Sequence, residues 1–353
     1  MGSNTVRSYP HLNGRQRSMS MKTLLELSSQ RWLLEDVSKL PPTIVNVPSG
    51  APNANERPLL VLVPGFLADA PSMLKERLQP KMDDHQVYKS SEWEAVAQDL
   101  ISKLGCEVSI FSWPNGSDNL FSDNLFSEKL VNTMLVGHTF EQVAARATIA
   151  SVGPGAIAVA IVAPAVGFIV ANSVAKWKLA LKNSDRAHLL LSPYVRKELE
   201  HRPSVLVVGH SLGGRIALKT AYDLEVARRF ETLNKGPQVI ALAPAIGPKA
   251  MPAGAHRMTR PIADVGWSAK DEVLKWAFWG AARSEGAALG CTPADWLKPA
   301  IDFHDVSSIA PGCVTGHSSY TRDLLSYVEL LPQGRAFMQT ISSSRHETAA
   351  GGE

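Results

Sequence analysis

The hydrophobic positions along the chain fall into short apolar runs, separated by segments in which they recur at helical spacing. Five runs are rich in β-branched residues and have the length of buried strands: PLLVLVPGF, CEVSIFSW, PSVLVVG, QVIALAPAIG and PIADVGWS. Between the first two, SSEWEAVAQDLISKLG places its apolar residues on one helical face. Strands that alternate with helices predict an α/β protein with a mostly parallel, doubly wound sheet.

The same pattern divides the chain into an arm, one large domain and a tail. Residues 1–57 are predicted to be a polar, basic arm with a short amphipathic helix in MKTLLELSSQRWLLEDVSKL. Residues 58–335 carry the predicted strands and form the α/β domain, in which 114–200 are an insertion ahead of PSVLVVG. Residues 336–353 are predicted to be a disordered tail.

The insertion contains a long segment without charge. No charged residue occurs from Ala147 to Ala175, and Arg146 and Lys176 bound the segment. It is longer than the roughly 20 residues that span a bilayer, but it is rich in Ala and Gly and is interrupted by prolines. Two interpretations stay open: apolar helices that cover the sheet or cap the active site, and a membrane-inserted helix or hairpin.

Composition narrows the possible function classes. The chain has 353 residues, a net charge of +3 and an apolar fraction of 45%, which is typical of a globular protein. The mild charge and the lack of a basic stripe argue against a nucleic-acid partner. The three cysteines, Cys106, Cys291 and Cys313, are far apart and predict neither a metal site nor a disulfide framework. The N-terminus lacks the apolar core of a secretory signal, so we expect a cytoplasmic protein.

The strongest chemical signal is VLVVGHSLGG, residues 205–214. Gly209, Ser211 and Gly213 form a G-x-S-x-G pattern between a predicted strand and a predicted helix, which is the context of a nucleophile elbow. Such a sharp turn leaves room only for tiny side chains near the serine, and the helix N-terminus offers N–H groups to an oxyanion. We predict that Ser211 is the nucleophile. His210 is adjacent to it, so we expect that its ring points away from the hydroxyl and shapes the site.

The acid of a triad with this elbow follows the serine in the chain, and the histidine comes last. In IADVGWSAKDEVLKW, Asp271 comes just after the predicted end of a strand, and it is the predicted acid. The same position also suits a helix N-cap. The other candidates are Asp264, Glu272, Asp302 and Asp305.

The predicted base is His317, in PGCVTGHSSYTRDLLSYVELL. Gly316 before it and a helical segment after it place it on a loop late in the chain. The alternatives are His304, which lies between two acids, and His346 in the polar tail.

The oxyanion hole of such a site needs two backbone N–H groups. One belongs to the residue after the nucleophile, Leu212, and the other to the loop after the first apolar strand. That loop is VPGFLADAPS, in which Phe66 is the candidate, with Leu67 behind it. This constellation needs no metal and no other cofactor.

These stretches together resemble the transmembrane-and-coiled-coil-domain family of α/β-hydrolases. The resemblance covers roughly residues 90–330 and rests on RPSVLVVGHSLGGRIALKTAYDLE, ANSVAKWKLALKNSDRAHLLLSPYVRKELEHRP, GWSAKDEVLKW and DVSSIAPGCVTGHSSY. It implies an α/β-hydrolase fold with an apolar helical insertion before the nucleophile strand, lipase-like activity, and the triad Ser211, Asp271 and His317. The chain departs from the family in its Gly213-Gly214 pair, where Gly-Ala is frequent, and in a shorter N-terminal region.

The sequence therefore predicts a serine ester hydrolase, a lipase or esterase. We expect it to act on lipid or another apolar acyl ester; the membrane-inserted interpretation of residues 147–175 would place this activity at a membrane. Two alternatives stay open: a non-catalytic, membrane-associated binding protein with this fold, and an acyltransferase or thioesterase with the same triad.

Overall fold

The computed structural model describes residues 42–50, 56–65, 92–113, 156–230, 233, 235–278, 282–309 and 320–350. For residues 92, 156–176, 276–277 and 345–350 it describes the backbone alone. The helix predicted in the N-terminal arm lies outside the described residues.

A seven-stranded sheet organises the described residues. Its strands are β1 Thr43–Val47, β2 Leu59–Val63, β3 Glu107–Ser112, β4 Val205–His210, β5 Gln238–Leu242, β6 Ala263–Trp267 and β7 Ile301–Asp305. Their order across the sheet is β1-β3-β2-β4-β5-β6-β7, and every neighbouring pair is parallel except β1 with β3. The mostly parallel, doubly wound sheet that the sequence predicts is confirmed.

The central strands β2, β3 and β4 are buried at every position. A parallel sheet of this kind has helices on both faces, which is why its strands read as continuous apolar runs. The five strands expected from the sequence are β2 to β6, and the structure adds β1 and β7 at the two edges. β1 lies within the segment 1–57 that was predicted to be an arm, so the sheet begins earlier in the chain than expected.

Five α-helices accompany the sheet in the described part of the chain, besides short 3₁₀ and π segments: α1 Glu92–Leu104, α2 Ala156–His201, α3 Leu212–Phe230, α4 Leu324–Leu330 and α5 Pro332–Ala350. The predicted apolar face of α1 is buried or half-buried at Trp93, Val96, Ala97, Leu100 and Leu104. α3 packs on β4 and β5, and α2 packs along α3. The helix before β4 and the helix after it are therefore in direct contact.

The uncharged segment 147–175 overlaps the first half of α2. Residues 147–155 lie outside the described residues, and from Ala156 the backbone is helical and continues through Pro164. Where side chains are described, no helix is long and apolar enough to cross a membrane.

The C-terminal segment differs from the predicted tail. Residues 336–353 were expected to be disordered, whereas α5 runs to Ala350 and buries Phe337 and Ile341 in the core. These two residues are four apart and therefore lie on the same helical face. The buried carboxylate of Asp264 in β6 accepts a hydrogen bond from the Gln333 N–H in the first turn of α5, at 2.7 Å. This contact attaches the helix to the sheet.

Candidate active site

Ser211 occupies the turn between β4, which ends at His210, and α3, which begins at Leu212. Its φ is +55°, in the left-handed region that non-glycine residues rarely adopt. Another positive φ, +44°, occurs at Ala243, directly after the neighbouring strand β5. Left-handed non-glycine residues cost about 1–3 kcal/mol each and persist only where the surrounding structure holds them.

The backbone of Ser211 is held by hydrogen bonds on both of its peptide groups. Its N–H donates to the Leu242 carbonyl at 3.0 Å, which extends the β4–β5 pairing past the strand end. Its carbonyl accepts from the Ala245 N–H at 2.9 Å and from the Arg215 N–H at 3.3 Å, the first bond of α3. The strained conformation is therefore fixed by the sheet and the helix together.

Close backbone contacts explain the glycines of the elbow. A Cβ atom on Gly209 would lie 2.3 Å from the Gly213 carbonyl oxygen, and one on Gly213 would lie 2.0 Å from the Val63 carbonyl oxygen. No side chain fits at either position without a shift of the backbone. The G-x-S-x-G pattern thus lets β4, α3 and the end of β2 approach one another around the serine.

The Ser211 side chain is almost completely buried, and its Oγ makes no hydrogen bond within the described residues. Buried hydroxyl groups are normally paired, so this oxygen is an exception of the kind found at catalytic sites. The N–H of Leu212 belongs to the first turn of α3, where the backbone N–H groups have no intrahelical partner. A polarised oxygen above Ser211 would therefore meet a donor and the positive end of the helix dipole.

The second predicted oxyanion donor, Phe66, lies outside the described residues. The residue before it, Gly65, is placed next to the elbow. A Cβ atom on Gly65 would lie 2.9 Å from the Ser211 Cβ and 3.2 Å from the His210 Nδ1. The loop after β2 therefore begins in contact with the serine.

His210 is buried, and its ring packs against Tyr320, with the ring centroids 5.6 Å apart. Tyr320 in turn packs against Tyr327 of α4, at 5.2 Å. Burial and the neighbouring Asp271 carboxylate raise the pKa of the Tyr320 phenol. Tyr320 thus contacts the elbow at His210 and is close enough to Asp271 to feel its charge. The sequence suggested no role for Tyr320, although it is the last residue of DVSSIAPGCVTGHSSY, one of the stretches that carry the family resemblance.

Asp271 is buried four residues after the end of β6. Its Oδ1 accepts a hydrogen bond from the Leu274 N–H at 3.0 Å, so it caps the short π-helix Leu274–Phe278. A carboxylate has two oxygens and about four lone-pair sites, so this cap leaves acceptor capacity for a histidine. Asp271 lies beyond the carboxyl end of a strand, where ligands of parallel sheets bind.

The other candidate acids occupy different environments. Glu272 is half-exposed and pairs with Lys275, and Asp305 is exposed and accepts a hydrogen bond from the Ser307 N–H. Asp264 lies inside β6 and caps α5, while Asp302 is on β7, paired in register with Asp264. Burial, and then the charge of Asp264, raise the pKa of Asp302.

His317, the predicted base, lies outside the described residues. It precedes Tyr320, the first described residue after it, by three positions in the chain. Of the alternatives, His304 on β7 faces Asp264, with Nε2 3.5 Å from Oδ1, and position 346 falls in the last turns of α5.

Cys291 packs beside Asp271 and donates a weak hydrogen bond to its carbonyl, at 3.5 Å. Burial and the Asp271 carboxylate raise the pKa of the Cys291 thiol to about 12. The thiol is therefore protonated at neutral pH and is not a nucleophile. Among the described residues, no group of His, Cys, Asp and Glu side chains could hold a metal ion.

A cluster of ion pairs around the buried Arg215 fixes the elbow helix, and no pattern in the sequence predicts it. Arg215, one turn into α3, is almost inaccessible to solvent; its Nε donates to Asp185 of α2 at 2.7 Å. Its two terminal nitrogens donate to Glu285 at 2.6 and 2.9 Å. Glu285 also accepts the Gly247 N–H, and Asp185 also pairs with Lys219. The cluster joins the nucleophile helix to the insertion helix and to the loop after β5.

We expect Arg215→Ala to lower the free energy of unfolding by about 3 kcal/mol, because it leaves Glu285, whose side chain is only 16% exposed, without its cation. Urea denaturation followed by circular dichroism measures this loss. Lys298→Ala is the control, since Lys298 forms an exposed pair with Asp295 and should contribute less than about 1 kcal/mol. Equal losses in the two variants would contradict a structural role for the cluster.

The strand order, with its antiparallel edge strand, and the strained serine between a central strand and a helix define an α/β-hydrolase fold. No family model matches the chain. The chain is similar to the transmembrane and coiled-coil domain-containing protein STS1 of Oryza sativa subsp. japonica, with 26% identity over 176 residues. The match covers 49% of this chain and 25% of that protein, so the chain spans about a quarter of the relative's length.

Two solved structures of esterases are similar at low scores. A Pyrobaculum calidifontis esterase shares 12% identity at a TM-score of 0.30, with 94% of each chain covered. An esterase B from Lactobacillus rhamnosis, inhibited by a tributyrin phosphonate, shares 10% identity at a TM-score of 0.34, covering 92% of this chain and 98% of that one. Scores this low add nothing to the fold assignment, which rests on the sheet and the elbow.

Proposed function

We propose that the protein is a serine hydrolase that cleaves carboxylic esters, with Ser211 as the nucleophile. The observation that carries this proposal is the strained, buried serine at the end of β4, whose Oγ has no hydrogen-bond partner within the described residues. A serine with only a structural role has no need of a left-handed backbone held by the strand and the helix. We also propose that the chain belongs to the family that its motifs resemble. The similarity to STS1, at 26% identity over 49% of the chain, supports this membership.

In the proposed reaction, the Ser211 Oγ attacks the ester carbonyl carbon while His317 takes the hydroxyl proton. Asp271 holds the imidazole in the correct tautomer and stabilises its charged form. The N–H groups of Leu212 and Phe66 donate to the oxyanion, and each such donor contributes about 3–4 kcal/mol to the transition state. The alcohol leaves with the proton from His317, and water then releases the acid and restores Ser211.

We propose that the substrate is a lipid or another ester with an apolar acyl chain, met at a membrane. Support comes from the uncharged segment 147–175, which precedes the nucleophile strand in the chain and runs into α2. α2 packs along α3, the helix that begins at the elbow. In this proposal the segment borders the active site, where it would lower the free energy of a bound acyl chain by about 0.8 kcal/mol per buried CH₂ group.

A series of p-nitrophenyl esters from acetate to decanoate tests this function. We expect kcat/KM to rise with chain length by about threefold to fourfold for each added CH₂ until the pocket is filled, because each buried CH₂ contributes about 0.8 kcal/mol. Flotation with neutral phosphatidylcholine vesicles tests the membrane location. A rate that is highest for acetate would contradict the apolar substrate, and no hydrolysis of any ester by the folded protein would contradict the hydrolase.

A further inference from the structure

A small pocket of about 170 Å³ lies at the amino ends of the strands, whereas Ser211 lies at their carboxyl ends. Its lining includes Gln238, the first residue of β5, and Arg260 and Ile262, which come just before β6. Glu225 of α3 and Gln333 of α5 also line it. Ser211 is hydrogen-bonded to Leu242, at the other end of β5. The pocket is thus about 13 Å away along β5, at 3.3 Å per residue, and the largely buried strand runs between it and Ser211.

Three arginines converge on one carboxylate at this pocket. Glu225 is buried and accepts hydrogen bonds from Arg228 at 2.8 and 2.9 Å, from Arg229 at 3.0 Å and from Arg260 at 2.9 Å. Burial opposes the charged form of Glu225, but the arginines prevail and hold its pKa at about 2. The carboxylate is therefore ionised at neutral pH, and the cluster carries a surplus of two positive charges.

The arginines keep donors that Glu225 does not use. Within the described residues, the hydrogen bonds of these three side chains go to Glu225, which accepts two from Arg228 and one each from Arg229 and Arg260. Each guanidinium has five N–H donors. The side chain of Arg260 is 51% exposed and lines the pocket, so its remaining donors can reach a ligand from solution.

We propose that this pocket binds a phosphate group, either free or as part of a lipid headgroup. Arginine clusters recognise phosphate through forked, charge-assisted hydrogen bonds, and a dianion would balance the surplus of two positive charges. The small volume fits this chemistry, because pockets for whole drug-sized ligands measure about 300–1,000 Å³. The site is separate from the ester site, and the proposal does not depend on hydrolase activity.

Two variants test the site in different ways. Arg260→Gln removes the most exposed guanidinium and leaves Glu225 paired with Arg228 and Arg229. Gly236→Val adds bulk without changing charge: a Cβ at Gly236 lies 3.8 Å from the Arg260 Nη2 and 3.9 Å from the Arg228 Cδ, which the backbone tolerates. Arg257→Gln is the matched control, because Arg257 is an exposed arginine, three positions before Arg260 in the chain, that does not line the pocket.

The measurement is calorimetric titration of the full chain with inorganic phosphate at constant ionic strength, with chloride as the reference anion. We expect one site, weakened by about tenfold or more in Arg260→Gln and Gly236→Val and changed less than about twofold in Arg257→Gln. A second arm compares vesicles with and without phosphatidic acid. Preference for phosphatidic acid that both variants lose, without binding of free phosphate, would identify a lipid headgroup as the source.

Three results would overturn the proposal. The first is a wild-type protein that binds neither inorganic phosphate nor phosphatidic acid in preference to phosphatidylcholine. The second is an equal loss in Arg257→Gln, which would mean general surface charge. The third is wild-type binding by Gly236→Val, which would place the anion outside the pocket. Urea denaturation of each variant establishes that it is folded, and Gly236→Val keeps the test valid if Arg260→Gln does not fold.

Discussion

Ser211→Ala is expected to lower kcat for ester hydrolysis by about 10⁶ while the protein stays folded. The substitution removes the only atom that can form the acyl-enzyme. It keeps the Cβ that contacts Gly65 and the three backbone hydrogen bonds that hold the turn. Because the Oγ has no hydrogen-bond partner within the described residues, its loss should leave the free energy of unfolding unchanged or slightly higher.

The matched control for this variant is Ser204→Ala. Ser204 is also a buried serine, lies just before the first residue of β4 and donates to Gln238 at 2.6 Å. It should keep wild-type kcat, since it is at the other end of the strand from Ser211. Kinetics with p-nitrophenyl esters and urea denaturation of both variants measure the two effects. An active Ser211→Ala protein would contradict the nucleophile assignment.

Asp271→Asn is expected to lower kcat by about 10⁴ with little change in stability. Asn is as good an N-cap as Asp, so the bond to the Leu274 N–H can persist and the fold is preserved. An amide, however, cannot stabilise an imidazolium ion and favours the wrong histidine tautomer. This substitution therefore distinguishes two roles of the Asp271 side chain: the helix cap, which Asn can keep, and the proposed triad acid, which Asn cannot replace.

The comparison for this variant is a pair of substitutions at the remaining carboxylates near the end of the sheet, Asp302→Asn and Asp305→Asn. Both should keep kcat within a factor of about three, because surface changes away from the site alter stability and rate little. If Asp271→Asn were as active as wild type and one of these two were inactive, the acid assignment would move to that residue.

The strands and the elbow could be predicted because they depend on local patterns. β2 to β6 are apolar runs with the length of buried strands. The glycines around Ser211 are required by close contacts with one another and with Val63 of the neighbouring strand β2. β1 was missed because TIVNV is a short edge strand within a Pro-rich stretch. Its Thr43 and Asn46 are polar, so it does not read as a continuous apolar run. Its structure depends on pairing with β3, which no local signal encodes.

Long-range contacts account for the other differences. The segment after residue 336 is polar on average, and only the i, i+4 pair Phe337 and Ile341 indicates a helix that packs on the sheet. Arg215 looks like an ordinary charged helix residue, and its burial depends on Asp185 and Glu285, which lie 30 and 70 positions away. Such partners become evident only when α2, α3 and the segment between β6 and β7 are assembled.

The measurement that tests the central claim most directly is labelling of the purified full chain with a fluorophosphonate probe, followed by mass spectrometry of the labelled peptide. The proposed function predicts one label, on Ser211, that is absent in Ser211→Ala and present in Ser204→Ala. A folded wild-type protein that does not react, or a label that persists in Ser211→Ala, would contradict an activated serine at the end of β4.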